Sequence, residues 1–241
     1  MRRYTPKNLL TVDANAKTVK GQRYGFMTGI LYLAPSTLSG HNVCPTAHLA
    51  QCDRACLNTA GRGAMSNVQN ARLNKTLFFF ENRDAFMALL VADVARLVRR
   101  AARKGMIPLV RLNGTSDIRW ETIPTDDGRT IFDRFPTVQF YDYTKIANRR
   151  DIPANYDLTF SWSGVSAFAQ YGQRAIAAGM RVAVVFKDRG SIPAQYMGMR
   201  CVDGDDSDIR HLDPQGVVVA LYAKGKAKRD TTGFVIPIMA A

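Results

Sequence analysis

Apolar residues in this chain fall into short runs bounded by turn residues. "GILYLAP" at Gly29–Pro35 is continuous enough to form a buried strand. The same pattern returns in "MIPLVRL" (Met106–Leu112), "TVQFYDY" (Thr137–Tyr143), "YDLTFSW" (Tyr156–Trp162), "RVAVVFK" (Arg181–Lys187) and "GVVVALYAK" (Gly216–Lys224). Runs rich in Val, Ile and Leu suit strands covered on both faces, the condition of a parallel sheet. A different period runs from Asn82 to Lys104. There Phe86, Leu90, Val94, Leu97 and Ala101 share one helical face with arginines opposite. Asn82 is placed to cap the start of this helix and Gly105 to end it. A weaker helix, Ser166–Ala178, stops at Gly179. Six strands separated by helices or long crossovers predict an α/β fold, arranged as a partial parallel barrel. The chain is expected to form a single domain over residues 1–241, with an N-terminal extension at 1–24 and the barrel-like core at 25–235.

Polar clusters follow every predicted strand. The segment "HNVCPTAHLAQCDRAC" follows the first. Asn113, Gly114, Thr115, Ser116 and Asp117 follow the second, and Thr144 and Lys145 the third. Ser161 to Gly164, with Ser161 and Ser163, closes the fourth; Lys187 and Asp188 follow the fifth, and Lys224 to Lys226 the sixth. In a parallel sheet these ends lie together on one side, where α/β proteins build their sites. Loops at strand ends are polar in any protein, so each position alone says little.

Composition adds one fact. The 241 residues carry 33 Lys and Arg against 20 Asp and Glu, a net charge of +13. Such an excess favours anionic partners and says nothing of fold. The basic residues cluster at "RLVRRAARK" (Arg96–Lys104) and "AKGKAKRD" (Ala223–Asp230). DNA or RNA is therefore the expected partner, with plain solubility as the alternative. The N-terminus has two arginines but no following apolar run, so it does not read as a secretory signal. No window is apolar enough to span a bilayer, so no membrane partner is expected. A cytoplasmic location follows, where thiols stay reduced.

Three of four cysteines, Cys44, Cys52 and Cys56, then lie in one stretch with the spacing C-x7-C-x3-C. If the second half of that stretch is helical, Cys52 and Cys56 share a face. Three converging thiolates make a soft site suited to an iron–sulfur cluster or zinc. Structural zinc takes four protein ligands, so zinc would need Cys201, His41 or His48 in addition. A [4Fe–4S] cluster on three cysteines leaves one iron open. Buried or redox-active thiols are the remaining reading.

"NVCPTAHLAQCDRACLNTAGRG", "PLVRLNGTSDIRWE", "VQFYDYTK" and the tail "VDGDDSDIRHLDPQGVVVALYAKGKAKRDTTGFV" resemble the successive motifs of the phage "gene product 88"-like family. The resemblance covers roughly Gly25 to Val235 and implies a phage or prophage protein in a bacterial host. The layout is also distantly similar to a radical SAM core, a partial (β/α)6 barrel with three cysteines after its first strand. That similarity implies S-adenosylmethionine (SAM) as a ligand. Asn113 to Asp117 would lie at the methionine end, with Asp117 on the amino group and Ser161 and Ser163 near the ribose, and Lys145 would join them in binding the cofactor. Lys145, Lys187 and Lys224 would receive anionic groups. The usual radical SAM spacing is C-x3-C-x2-C, and a Gly-Gly-Glu turn after the second strand is absent here.

The expectation is an iron–sulfur protein holding a [4Fe–4S] cluster on Cys44, Cys52 and Cys56, serving as a nucleic-acid-associated module. A radical SAM-type enzyme and a zinc-stapled interaction protein are the alternatives.

Overall fold

A computed structural model describes residues 4–12 and 16–237. The strands are β1 (Leu10–Val12), β2 (Phe26–Leu31), β3 (Ile107–Arg111), β4 (Gln139–Thr144), β5 (Tyr156–Ser161), β6 (Val182–Phe186), β7 (Gln195–Tyr196), β8 (Met199–Asp203) and β9 (Val218–Tyr222). The helices are α1 (Ala16–Gln22), α2 (Ser66–Glu81), α3 (Arg83–Arg103), α4 (Ile131–Arg134) and α5 (Ala169–Ala177). All six predicted strands form. They lie in one sheet of order β1-β2-β3-β4-β5-β6-β9-β8-β7. From β2 through β6 to β9 and on to β8 every neighbouring pair is parallel. The architecture is a mixed α/β fold with a nine-stranded, mostly parallel sheet.

The order has a simple physical origin. Each crossover from β2 to β6 steps one strand over in the same direction. A right-twisted strand feeding a helix packs back onto the sheet only with right-handed connections. The three strands absent from the sequence pattern are short and lie at the sheet's margins. β1 pairs antiparallel with β2 and lies within the stretch expected to be an extension. β7 and β8 form a small antiparallel pair at the far edge. Short, half-exposed strands carry too few apolar residues to stand out.

The long helix forms as its period predicts. Phe86, Leu90, Val94, Leu97 and Ala101 are all buried on α3. Gly105 ends it with a positive φ of 62°, a conformation that suits a residue without Cβ. Asn82 stands at the N-cap, but its side chain makes no capping bond; its carbonyl accepts from the Phe86 N–H at 2.9 Å instead. α2 was invisible as an amphipathic pattern because its buried positions are Arg72, Asn74, Thr76 and Phe79, three of them polar.

Two apolar clusters fill one side of the sheet. The larger joins Phe86, Leu90 and Val94 of α3 to Met27, Val110 and Phe140 of the strands, with Phe79, Trp120 and Phe132. The second joins Phe168 and Ala175 to Phe160, Val182, Val184 and Val218. On the other side Ile209 packs with Leu109 and Tyr141, and a Cβ on Gly21 of α1 would stand 3.6 Å from Ile209. The sheet is thus covered on both faces, which its continuous apolar strands require.

Candidate functional site

The cysteine stretch follows β2, the first of the parallel strands, and is built of turns from Pro45 to Ala55 rather than a helix. Ala50 N–H donates to Thr46 O at 3.0 Å and Cys52 N–H to Ala47 O at 3.1 Å, with Gln51 at a positive φ of 55°. The conditional helical pairing of Cys52 with Cys56 is therefore replaced by a coiled loop. That loop is stapled to the neighbouring strand ends. Asp117 N–H donates to Val43 O at 2.8 Å, the Cys44 thiol donates to Thr115 O at 3.7 Å, and the Ser163 hydroxyl donates to Ala50 O at 2.8 Å. The cysteine loop, the end of β3 and the end of β5 thus meet, as the parallel arrangement predicts.

Lys145 ties the same region together from β4. It is 8% exposed. Its backbone N–H donates to Asp117 Oδ2 at 2.7 Å. Its ammonium donates to the Ser161 carbonyl and hydroxyl, each at 2.8 Å, and lies 5.5 Å above the Phe168 ring and 5.0 Å above that of Phe234. Burial holds this ammonium below its ordinary pKa, opposed by Cys52, Asp117, Cys44 and Cys56 in that order.

All four cysteines are free and partly buried. Burial pushes the Cys44 thiol up to about 12, against the Ser36 N–H that lowers it, with Asp117, Cys56 and Cys52 adding to the rise. The Cys52 thiol is raised by burial, which Lys145 partly offsets. Cys56 is raised by burial against the Asn58 N–H, with Cys52 adding to the rise. Cys201 instead lies on β8 and packs against the second apolar cluster. Among the described residues no group of three or more His, Cys, Asp or Glu side chains is placed to hold a metal ion.

The loop after β3 is largely occupied with its own structure. Asn113 Oδ1 accepts from the Ser116 hydroxyl at 2.8 Å, Ile118 N–H at 2.9 Å and Trp120 Nε1–H at 3.0 Å. Its amide donates to Ile118 O and to the Tyr156 hydroxyl. Asp117 accepts from the Thr144 hydroxyl at 2.8 Å as well as from Lys145, with Arg149 at 3.6 Å. A Cβ on Gly114 would stand 2.7 Å from the Leu31 carbonyl, so this loop crosses the end of β2 at a distance only glycine allows. Lys187 and Lys224 are likewise engaged, with the Lys228 carbonyl at 2.7 Å and with Asp205. Of the lysines expected to receive anions, only Lys145 is buried.

Three buried groups that the sequence reading passed over support this region. Arg149 pairs with Glu121 and approaches Asp117. Arg72 donates to Asn58, two residues beyond Cys56. Asp142, fully buried, accepts from Leu112 N–H at 2.9 Å and from the Tyr156 hydroxyl at 3.2 Å. Arg149 and Asp142 flank "YTK" in the sequence, which was the available signal.

The two basic clusters lie at opposite ends of the sheet. Arg96, Arg99, Arg103 and Lys104 are exposed toward the end of α3, which delivers the chain to the start of β3. Lys226, Lys228 and Arg229 are exposed beyond the end of β9. That second cluster adjoins the cysteine loop, because Lys226 N–H donates to the Thr59 hydroxyl at 3.3 Å. No helix among the described residues is long and apolar enough to cross a membrane.

No curated protein and no solved structure shows significant similarity to this sequence. A family model described as Gene product 88 does match, over residues 8–238. It spans the whole sheet from β1 to β9, with the cysteine loop and the basic turn beside it. The chain therefore belongs to the phage gene product 88 family.

Proposed function

We propose that the protein binds a [4Fe–4S] cluster through Cys44, Cys52 and Cys56 and works as a module associated with DNA or RNA. The observation that supports this reading is that the loop carrying the three thiols is hydrogen-bonded to the carboxyl ends of the parallel strands β3 and β5, where buried Lys145 also bonds to Asp117 and Ser161. The donor set suits soft metal, and metal cations deprotonate coordinating thiols outright, reversing the upward pull of burial. The exposed Lys226, Lys228 and Arg229, beside the loop's end, supply the anionic-partner side of the reading. Metal analysis of protein purified without oxygen tests it. Iron and sulfide with a broad visible absorbance are expected; stoichiometric zinc without iron would end it.

A radical SAM-type enzyme is the second reading. What favours it is the one-directional order of the parallel strands, with the thiol loop after the first of them. This order suits a partial (β/α)6 barrel. Against it, Asn113 and Asp117 already serve their own chain. Incubating reduced protein with SAM and measuring its cleavage separates the two readings.

A further inference from the structure

We propose that a pocket beside the α2–α3 junction receives one unpaired base of a single-stranded nucleic acid, with Arg83 and Arg119 holding the adjoining phosphate. The inference rests on the DNA-or-RNA part of the reading above and does not depend on a bound metal.

The pocket has a volume of about 280 Å³ and lies among the segments that follow β2, β3 and β4. Its walls are mostly apolar, with Val43, Phe79, Phe80, Ile118, Ile123 and Ile146. Pockets for drug-sized ligands begin at about 300 Å³, so this one suits a single ring system. Flat π surfaces frame it. Phe80 stacks on His41, ring centroids 4.1 Å apart and planes 9° from parallel, and both rings are only half-buried. Phe80 meets Phe79 edge to face. The Arg83 guanidinium lies 3.6 Å over the Phe79 ring, held there by Nε–H donating to the Phe79 carbonyl at 2.9 Å. Arg119 is exposed, and its guanidinium has no ion-pair or hydrogen-bond partner among the described residues. The carboxylate in the lining, Asp117, is already committed to Thr144, Lys145 and Arg149. Two arginines without a free carboxylate select an anionic guest, and π faces around an apolar floor select a flat aromatic one. A nucleotide unit is both, and its base stacks on aromatic side chains whatever its sequence. A base inside a duplex would first have to be flipped out, so the guest is single-stranded. The exposed Lys226, Lys228 and Arg229 follow β9 on the same side of the sheet. β4 and β9 are three strand spacings apart, roughly 14 Å. About four nucleotides at duplex spacing cover that distance, so one strand can engage both the basic turn and the pocket.

The test is fluorescence anisotropy with a labelled oligothymidylate dodecamer, its duplex, and thymidine monophosphate as competitor. A dodecamer carrying 5-iodouracil is photo-cross-linked in parallel and mapped by mass spectrometry. F80A, F80W and the double variant R83Q/R119Q are compared with the parent, and folding is checked by circular dichroism. F80A should weaken the single strand by about fivefold or more and abolish cross-linking at His41 and Phe80, while leaving duplex affinity unchanged. F80W, which keeps a stacking face, should stay near the parent. R83Q/R119Q should flatten the single-strand salt slope by about 1.4. Should the double variant fail to fold, R119Q, a change at an exposed residue, decides with half that effect. Unchanged single-strand affinity in folded F80A, with cross-links confined to Lys226–Arg229, overturns the pocket and leaves the nucleic-acid reading standing. Thymidine monophosphate binding as tightly as the dodecamer overturns the strand as the guest. A parent protein that binds no nucleic acid at low salt overturns the nucleic-acid reading, and the pocket with it.

Discussion

Asp142 gives the site a measurable dependence on pH. Its side chain is fully buried on β4, and burial pushes its carboxyl up from the ordinary 3.8 to about 7, against Arg111 and the N–H and hydroxyl donors that lower it. Arg111 stands 3.7 Å away and gives its closer contact, 2.7 Å, to Asp208. The folded protein therefore keeps a proton on Asp142 that the unfolded chain loses near pH 4. Between pH 4 and 7 the folded state binds more protons, so stability falls as pH rises through this window, and the loss is complete above it. A gap of about three pH units at 1.36 kcal/mol each amounts to roughly 4 kcal/mol. For a chain of this size that corresponds to about 8–16 °C in Tm. D142N cannot titrate, and its carbonyl can still accept from Leu112 and Tyr156. The assay is urea unfolding of both proteins from pH 4.5 to 8, followed by tryptophan fluorescence. Trp120 reports directly, because Asn113 joins it to Tyr156 and so to Asp142. The parent curve should fall relative to D142N as pH rises. Parallel curves would refute the buried-proton argument.

Replacing Cys44, Cys52 or Cys56 by Ala should each abolish iron retention and the visible absorbance, read by metal analysis. Gel shifts at rising salt should show affinity falling log-linearly, with a slope of about −4 to −5 for four to six phosphate contacts on duplex DNA. Neutralising Lys226, Lys228 and Arg229 together should flatten that slope by about 3, whereas neutralising Arg99, Arg103 and Lys104, at the opposite end of the sheet, should change it less. G164A places a Cβ 2.5 Å from the Gly233 carbonyl and 2.6 Å from Ile236. It should lose about 1–3 kcal/mol of stability by overpacking, measured by urea unfolding, and speed the alkylation of Cys52 by a thiol reagent.

The strands from β2 to β6 and β9 were legible because burial on both faces demands continuous apolar runs. α3 was legible because a single face of Phe86, Leu90 and Val94 meets the sheet. α2 was hidden because Arg72, Asn74 and Thr76 are buried for hydrogen bonding rather than for apolar packing. Arg72 reaches Asn58, and Thr76 donates to the Arg72 carbonyl and accepts from Ala34 N–H. The thiol loop and strand-end clusters were legible as a group, since a parallel sheet places its carboxyl ends together. Their individual tasks were not. Whether Asp117 faces a ligand or its own backbone depends on Lys145 and Thr144, which lie a full crossover away in sequence. The engagement of Lys187 and Lys224 is hidden for the same reason.

The segment Phe234 to Ile236 has a bearing on how the molecule is made. Ile236 pairs with the end of β6, donating to Val185 O at 2.8 Å and accepting from Lys187 N–H at 2.9 Å. Phe234 and Val235 pack with Ala55 and Cys52. The ribosome releases the thiol loop early and this covering segment late, with nearly the whole sheet synthesised between them. During translation Cys52 lacks its final cover. An oxidant or a thiol reagent therefore meets a more open loop on the nascent chain than on the finished protein.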